Sequence, residues 1–180
     1  MGSSMPMLLR VFRAGEITVP SEADYDAGVH LNLPDVAVDN KHNPSMMRIH
    51  IKASKTDPFR KGIHIFVGIT ENDLCPVKAM LAYLACRGSK PGPLFQFQDG
   101  RFLTRDRFVK HVKSALTTAG VPCKHYSVHS FRAGAASTAA GRGIPDATIK
   151  TLRRWESSAY LLYIKLPREQ LANIAKVISK

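Results

Sequence analysis

The chain has 180 residues, 44% hydrophobic and 22% charged, the length of one core-forming domain and the composition of a globular protein. No apolar run reaches the roughly 18 residues of a membrane span, and Cys75, Cys86 and Cys123 have neither zinc-ligand spacing nor the even count of a disulfide framework, so a reducing, intracellular compartment is expected. The net charge of +12 is uneven: residues 1–100 hold 11 Lys/Arg against 10 Asp/Glu, and residues 101–180 hold 15 against 4, which suits the second stretch to a polyanion such as nucleic acid.

Met1-Gly2-Ser3-Ser4 reads as a tag remnant outside the fold, which leaves residues 5–180 as one domain. Met5, Leu8, Leu9 and Phe12 fit the end of an apolar helix, and Glu16 to Pro34 is rich in turn formers. Val36 and Val38, and then Met47, Ile49 and Ile51, alternate with polar neighbours as half-buried strands do, with Arg48, His50 and Lys52 on the opposite face. Asp57-Pro58 and Gly62 turn the chain, and Ile63, Ile65 and Val67 form another alternating strand, so Lys55 falls at or near a β-hairpin turn.

The pattern then becomes helical. Pro76 opens a helix that ends before Gly88, and Pro91-Gly92-Pro93 is a hard break. Thr104 is a candidate cap for a helix bearing Phe108, Val109, Val112 and Leu116 and stopped by Gly120. Ser127 starts another, through Ala139, ended by Gly141 and Gly143. Pro145 opens a short helix toward Trp155, and Ser157 or Ser158 starts one containing Tyr160 and Tyr163. After Pro167, the stripe of Leu171, Ile174, Val177 and Ile178 gives a last amphipathic helix. The expected fold class is α+β, mainly helical, with a small antiparallel sheet near the N-terminus.

His129 and Arg132 in His-Ser-Phe-Arg are three residues apart and can serve one site from one helical face. Alone, an exposed helix pair or a buried, satisfied histidine explains most such matches. The context is richer. Arg13 stands in Arg-Ala-Gly-Glu, Lys55 on the hairpin, and Trp155 precedes Tyr163 in Trp-Glu-Ser-Ser-Ala-Tyr-Leu-Leu-Tyr-Ile-Lys. This order resembles the tyrosine recombinase (phage integrase) family, whose set is an arginine with a nearby acidic residue, a hairpin lysine, His-x-x-Arg, a histidine or tryptophan, and a nucleophilic tyrosine. The phrases Ser-Lys-Thr-Asp-Pro-Phe-Arg-Lys-Gly and His-Ser-Phe-Arg-Ala-Gly-Ala-Ala look like the branch encoded by eukaryotic transposable elements, DIRS-like or Crypton-like.

The resemblance implies a catalytic domain, without the family's N-terminal DNA-clamping domain, that cuts and rejoins double-stranded DNA through a 3′-phosphotyrosine. It also implies a nuclear location in a eukaryote. Arg13 and Arg132 would clamp the scissile phosphate, since a guanidinium is a rigid, permanently charged donor fork. No metal or other cofactor is then called for. His129 would take the proton of Tyr163, Lys55 would protonate the leaving oxygen, and Trp155 would hydrogen-bond a phosphate oxygen or buttress the tyrosine helix. Spacing leaves Tyr160 open against Tyr163 and Lys52 against Lys55. The last helix either docks on a neighbouring subunit in a synaptic tetramer or folds back on its own core. Val128 and Arg153 stand where the family often has glycine. The rival readings are a non-catalytic DNA-binding or assembly module and a type IB topoisomerase-like enzyme; a metal nuclease fits poorly, because no Asp/Glu cluster accompanies the basic motifs.

Overall fold

Alternation of apolar and polar side chains builds the first half of the molecule. A computed structural model describes residues 12–53, 57, 59–72 and 75–153. The expected segments become β1 (Val36–Val38), β2 (Met46–Ile51) and β3 (Ile63–Gly68), an antiparallel sheet in the order β1-β2-β3. Val36 faces Ile49 and Val38 faces Met47; across β2, Ile49 faces Ile65 and His50 faces His64. Met47, Ile49 and Ile51 are fully buried, each contributing roughly 2 kcal/mol of hydrophobic stabilisation. β3 follows the alternation less closely: Val67 is buried, Ile65 half-buried and Ile63 exposed.

A one-turn helix, α1 (Ala14–Ile17), runs into the stretch from Glu16 expected to be rich in turn formers, and a 3-10 turn follows at Leu33–Asp35. Four residues, one a glycine, are too few for a helical period to be read. Packing makes α1, because Phe12 before it and Ile17 and Val19 at and after its end are buried. Val19 also exchanges backbone hydrogen bonds with a distant segment, donating to Leu103 O at 3.2 Å and accepting from Arg105 N–H at 3.1 Å.

The helices start and stop where their caps place them. α2 (Pro76–Arg87) opens on its proline and turns Val77 and Met80 into the core. α3 (Arg105–Thr118) has Thr104 Oγ1 accepting the Arg107 N–H at 3.3 Å, and its Phe108 is buried. A 3-10 turn at Cys123–His125 precedes α4 (Val128–Gly141), which begins directly after Ser127; α5 (Asp146–Arg153) follows Pro145. α3 and α4 end alike. Gly120 and Gly143 take left-handed backbone, with φ of 69° and 76°, and the next residue donates five positions back, Val121 to Leu116 O and Ile144 to Ala139 O, so both helices close in Schellman turns.

Arg87 is only 8% exposed, and it organises the Pro-Gly-Pro break after α2. Its guanidinium donates to the carbonyls of Leu94 (2.8 Å), Pro93 (2.8 Å), Lys90 (2.8 Å), Gly88 (3.0 Å) and Gly92 (3.4 Å). The Tyr83 hydroxyl lies one turn earlier, donating toward Leu94 O and accepting the Gln96 N–H at 2.8 Å. A segment that reads as a loose linker is therefore sewn to the helix before it.

The chain divides into two compact units, with the boundary between Val128 and His129. The first holds the sheet and α1 to α3. In the second, α4 buries Arg132 and Ala136 on one stripe and exposes Gly134 and Thr138 on another, while α5 buries Ile149. No helix among the described residues is long and apolar enough to cross a membrane. The expected tyrosine helix and last amphipathic helix lie outside the described residues.

Candidate active site

Arg13 occupies the N-cap position of α1, with extended backbone (φ −78°, ψ 148°). Its own N–H donates to Glu16 Oε2 at 2.9 Å, and its guanidinium stands 3.7 Å from Glu16 Oε1. The Glu16 side chain is almost fully buried, whereas that of Arg13 keeps 24% of its surface. Glu16 thus fixes both the backbone and the head of Arg13 from the core side, on a helix anchored by Phe12, Ile17 and Val19. The sequence shows the acidic neighbour of Arg13; its work as the clamp that aims the arginine comes from the geometry.

The hairpin between β2 and β3 is secured at both ends. At the β2 end, Lys52 Nζ lies 2.7 Å from Asp35 Oδ2 and donates to Ala27 O at 2.6 Å, and His50 Nδ1 lies 3.8 Å from Asp35 Oδ1. At the β3 end, the Asp57 carboxylate accepts the N–H groups of Lys61 (3.1 Å) and Gly62 (2.7 Å). Lys52 is thereby committed to an ion pair within the fold. Lys55 lies outside the described residues, in the connection these anchors frame. Asp35 went unread as an anchor because its partners His50 and Lys52 are distant in sequence and leave no local pattern, whereas Asp57 bonds locally within the turn that Asp57-Pro58 and Gly62 mark.

In the second unit, α4 carries His129 and Arg132 one turn apart. Arg132 is 7% exposed, and arginine is seldom buried without a specific task for its charge. That burial excludes a solvated helix surface for Arg132. Trp155, Tyr160 and Tyr163 lie outside the described residues, as do Leu171, Ile174, Val177 and Ile178 of the expected last helix.

No family model matches the sequence, and no curated protein matches it. Solved structures do. A XerA recombinase superposes with a TM-score of 0.68 at 19% identity, covering 98% of this chain and 55% of that one. The fold is that of a tyrosine recombinase catalytic domain. A XerH site-specific recombinase bound to palindromic difH substrate, in a post-cleavage complex, gives a TM-score of 0.64 at 16% identity, covering 100% of this chain and 48% of that one. The Tn1549 transposon integrase in complex with circular intermediate DNA gives 0.54 at 14% identity, covering 96% and 55%. The chain spans about half the length of these recombinases. At such identities the likeness is one of fold, and the expected α+β recombinase architecture is the one observed.

Proposed function

We propose that this chain is the catalytic part of a site-specific DNA recombinase or integrase that cleaves and rejoins double-stranded DNA through a 3′-phosphotyrosine. The observation that carries the reading is Arg132, a residue only 7% exposed on the His-x-x-Arg helix of a chain with the recombinase fold. Arg13, aimed by the buried Glu16, is the second donor set. In-line attack on a phosphodiester raises the charge on its non-bridging oxygens, and two fixed guanidinium groups stabilise that charge where it develops.

In this mechanism Tyr163 Oη attacks the phosphorus and its proton passes to His129. The bond from phosphorus to the 5′ oxygen breaks, and that oxygen takes a proton from Lys55. Trp155 donates its indole N–H to a phosphate oxygen or supports the tyrosine helix. One phosphodiester is exchanged for another, so the reverse attack by a 5′ hydroxyl reseals the strand without an added energy source. The hairpin and helix phrases quoted above support a relationship to the transposon-encoded branch. The last helix, docked on a neighbouring copy, supplies the contact for a synaptic tetramer.

Covalent trapping tests the reading. The protein is incubated with nicked suicide duplexes of varied sequence, and a denaturation-resistant protein–DNA adduct is sought alongside Tyr163→Phe and Tyr160→Phe. An adduct lost only in Tyr163→Phe establishes the reaction and the nucleophile. Intact DNA binding with no adduct, in a longer chain as well, would leave a DNA-binding module instead.

A further inference from the structure

Among the described residues β3 is an edge strand, and its hydrogen-bonding phase can be assigned. Ile69 N–H donates to Ser45 O at 2.8 Å, one step beyond the Met46–Gly68 pair. Ile63, Ile65, Val67 and Ile69 therefore turn their backbone groups toward β2, and His64, Phe66 and Gly68 turn theirs toward the open edge. The edge is apolar and accessible: Phe66 is 59% exposed, Ile63 43% and Ile69 42%. Residues 62–70 contain no Asp, Glu, Lys or Arg, whereas Lys61 stands before them and Glu71 after them, both exposed.

We propose that this edge is a homodimer interface in which the β3 strands of two copies pair antiparallel about a two-fold axis at Phe66. That register is self-complementary. Phe66 faces its own copy, His64 faces Gly68, Ile63 faces Ile69, and Lys61 comes to the end of the pair where the other copy's Glu71 stands. The outward N–H and C=O groups of His64, Phe66 and Gly68 meet their counterparts in six backbone hydrogen bonds. Moving the axis by one residue to either side keeps the phase and loses the opposition of Lys61 to Glu71. A nucleic-acid backbone is a poor occupant, because the strand offers no cation along its length. Unprotected apolar edges ordinarily carry a charge, a proline or a bulge that blocks pairing, and β3 has none of these. One strand pair buries little area, so the dimer is weak and concentration-dependent. It is independent of the DNA chemistry: a chain that never cleaved DNA would still carry this edge.

Analytical ultracentrifugation of the whole chain over a concentration series should show a monomer–dimer equilibrium. Glu71→Lys opposes lysines at both ends of the strand pair and should weaken it about tenfold, and adding Lys61→Glu should restore it. Paired Cα atoms at a hydrogen-bonded position are about 5.5 Å apart, within disulfide range. In a Cys86→Ser background, Phe66→Cys should therefore crosslink to a dimer under mild oxidant. Phe59→Cys, at a residue 80% exposed but off the strand, should not. A chain that stays monomeric, a dimer indifferent to Glu71→Lys, or equal crosslinking at positions 59 and 66 would overturn the proposal.

Discussion

Arg132 and Glu16 are both buried charges, and they ask for different substitutions. Because Arg132 is 7% exposed, truncation to alanine removes packing together with charge. Arg132→Lys is the sharper probe: it keeps the charge and discards the planar fork. Single-turnover cleavage should fall by about 10² to 10³ while duplex affinity stays within a few-fold, since a lost transition-state donor acts on the rate. Equal losses of cleavage and binding would make Arg132 a general phosphate contact. Glu16→Gln preserves shape and removes the anion beside Arg13. With the helix still anchored by Phe12, Ile17 and Val19, cleavage should drop about tenfold with the thermal midpoint almost unmoved, because a small misplacement of a catalytic group is costly.

At the level of elements, two polar devices hold segments that hydrophobic patterning does not explain. Asp39 closes the β1–β2 hairpin, its carboxylate accepting the Ser45 Oγ hydroxyl and the Ser45 and Met46 N–H groups. These bonds, the Ser45 hydroxyl first, hold the Asp39 carboxyl down to about 2 from an ordinary 3.8. A lowered carboxylate stabilises the folded chain fully above the unfolded value and loses its effect as pH falls through the folded one. The stability gap between the wild-type chain and Asp39→Asn should therefore be constant near neutral pH and close between about pH 4 and pH 2 in denaturant titrations. Arg87→Met should cost about 3 kcal/mol of unfolding free energy by urea titration, because it strands buried carbonyls of the Gly88–Leu94 segment.

The same elements show what a sequence can and cannot disclose. β2 was legible because Met47, Ile49 and Ile51 alternate cleanly, and α2 and α3 because Pro76, Gly88, Thr104 and Gly120 mark their ends. α1 was not, since tertiary packing makes a helix of four residues. Ile63 follows the alternation yet is exposed, because burial also depends on whether a strand is central or at an edge. In the site, the order of Arg13, His129 and Arg132 was legible, and so was the acid beside Arg13. The ties of Asp35 to Lys52 and of Arg87 to the Pro-Gly-Pro break join side chains to distant or backbone partners, which no spacing rule encodes.

For the whole molecule the governing quantity is the charge of +12, concentrated in residues 101–180. Affinity for a duplex should fall steeply and linearly on a plot of log affinity against log salt, with a slope set by the number of phosphates neutralised. Affinity unchanged from low to high salt would show that this charge does not face DNA. The first hundred residues are nearly neutral, so substitutions among their exposed lysines and arginines other than Arg13 and Lys55 should alter that slope less than substitutions in the basic stretch.

The stitching of Arg87 also bears on where the polypeptide can be opened. A glycine- and proline-rich run such as Gly88–Pro93 is where a protease, an inserted domain or a new pair of termini would ordinarily be admitted. Here trypsin cannot capture Arg87, whose head is spent on five carbonyls. Arg60 and Lys61, exposed beside Phe59, are among the accessible sites of the described residues. Limited tryptic digestion should cut at exposed sites such as Arg60 and Lys61 and leave the Arg87–Gly88 bond whole, so the apparent linker is not a place for the new termini of a circular permutant.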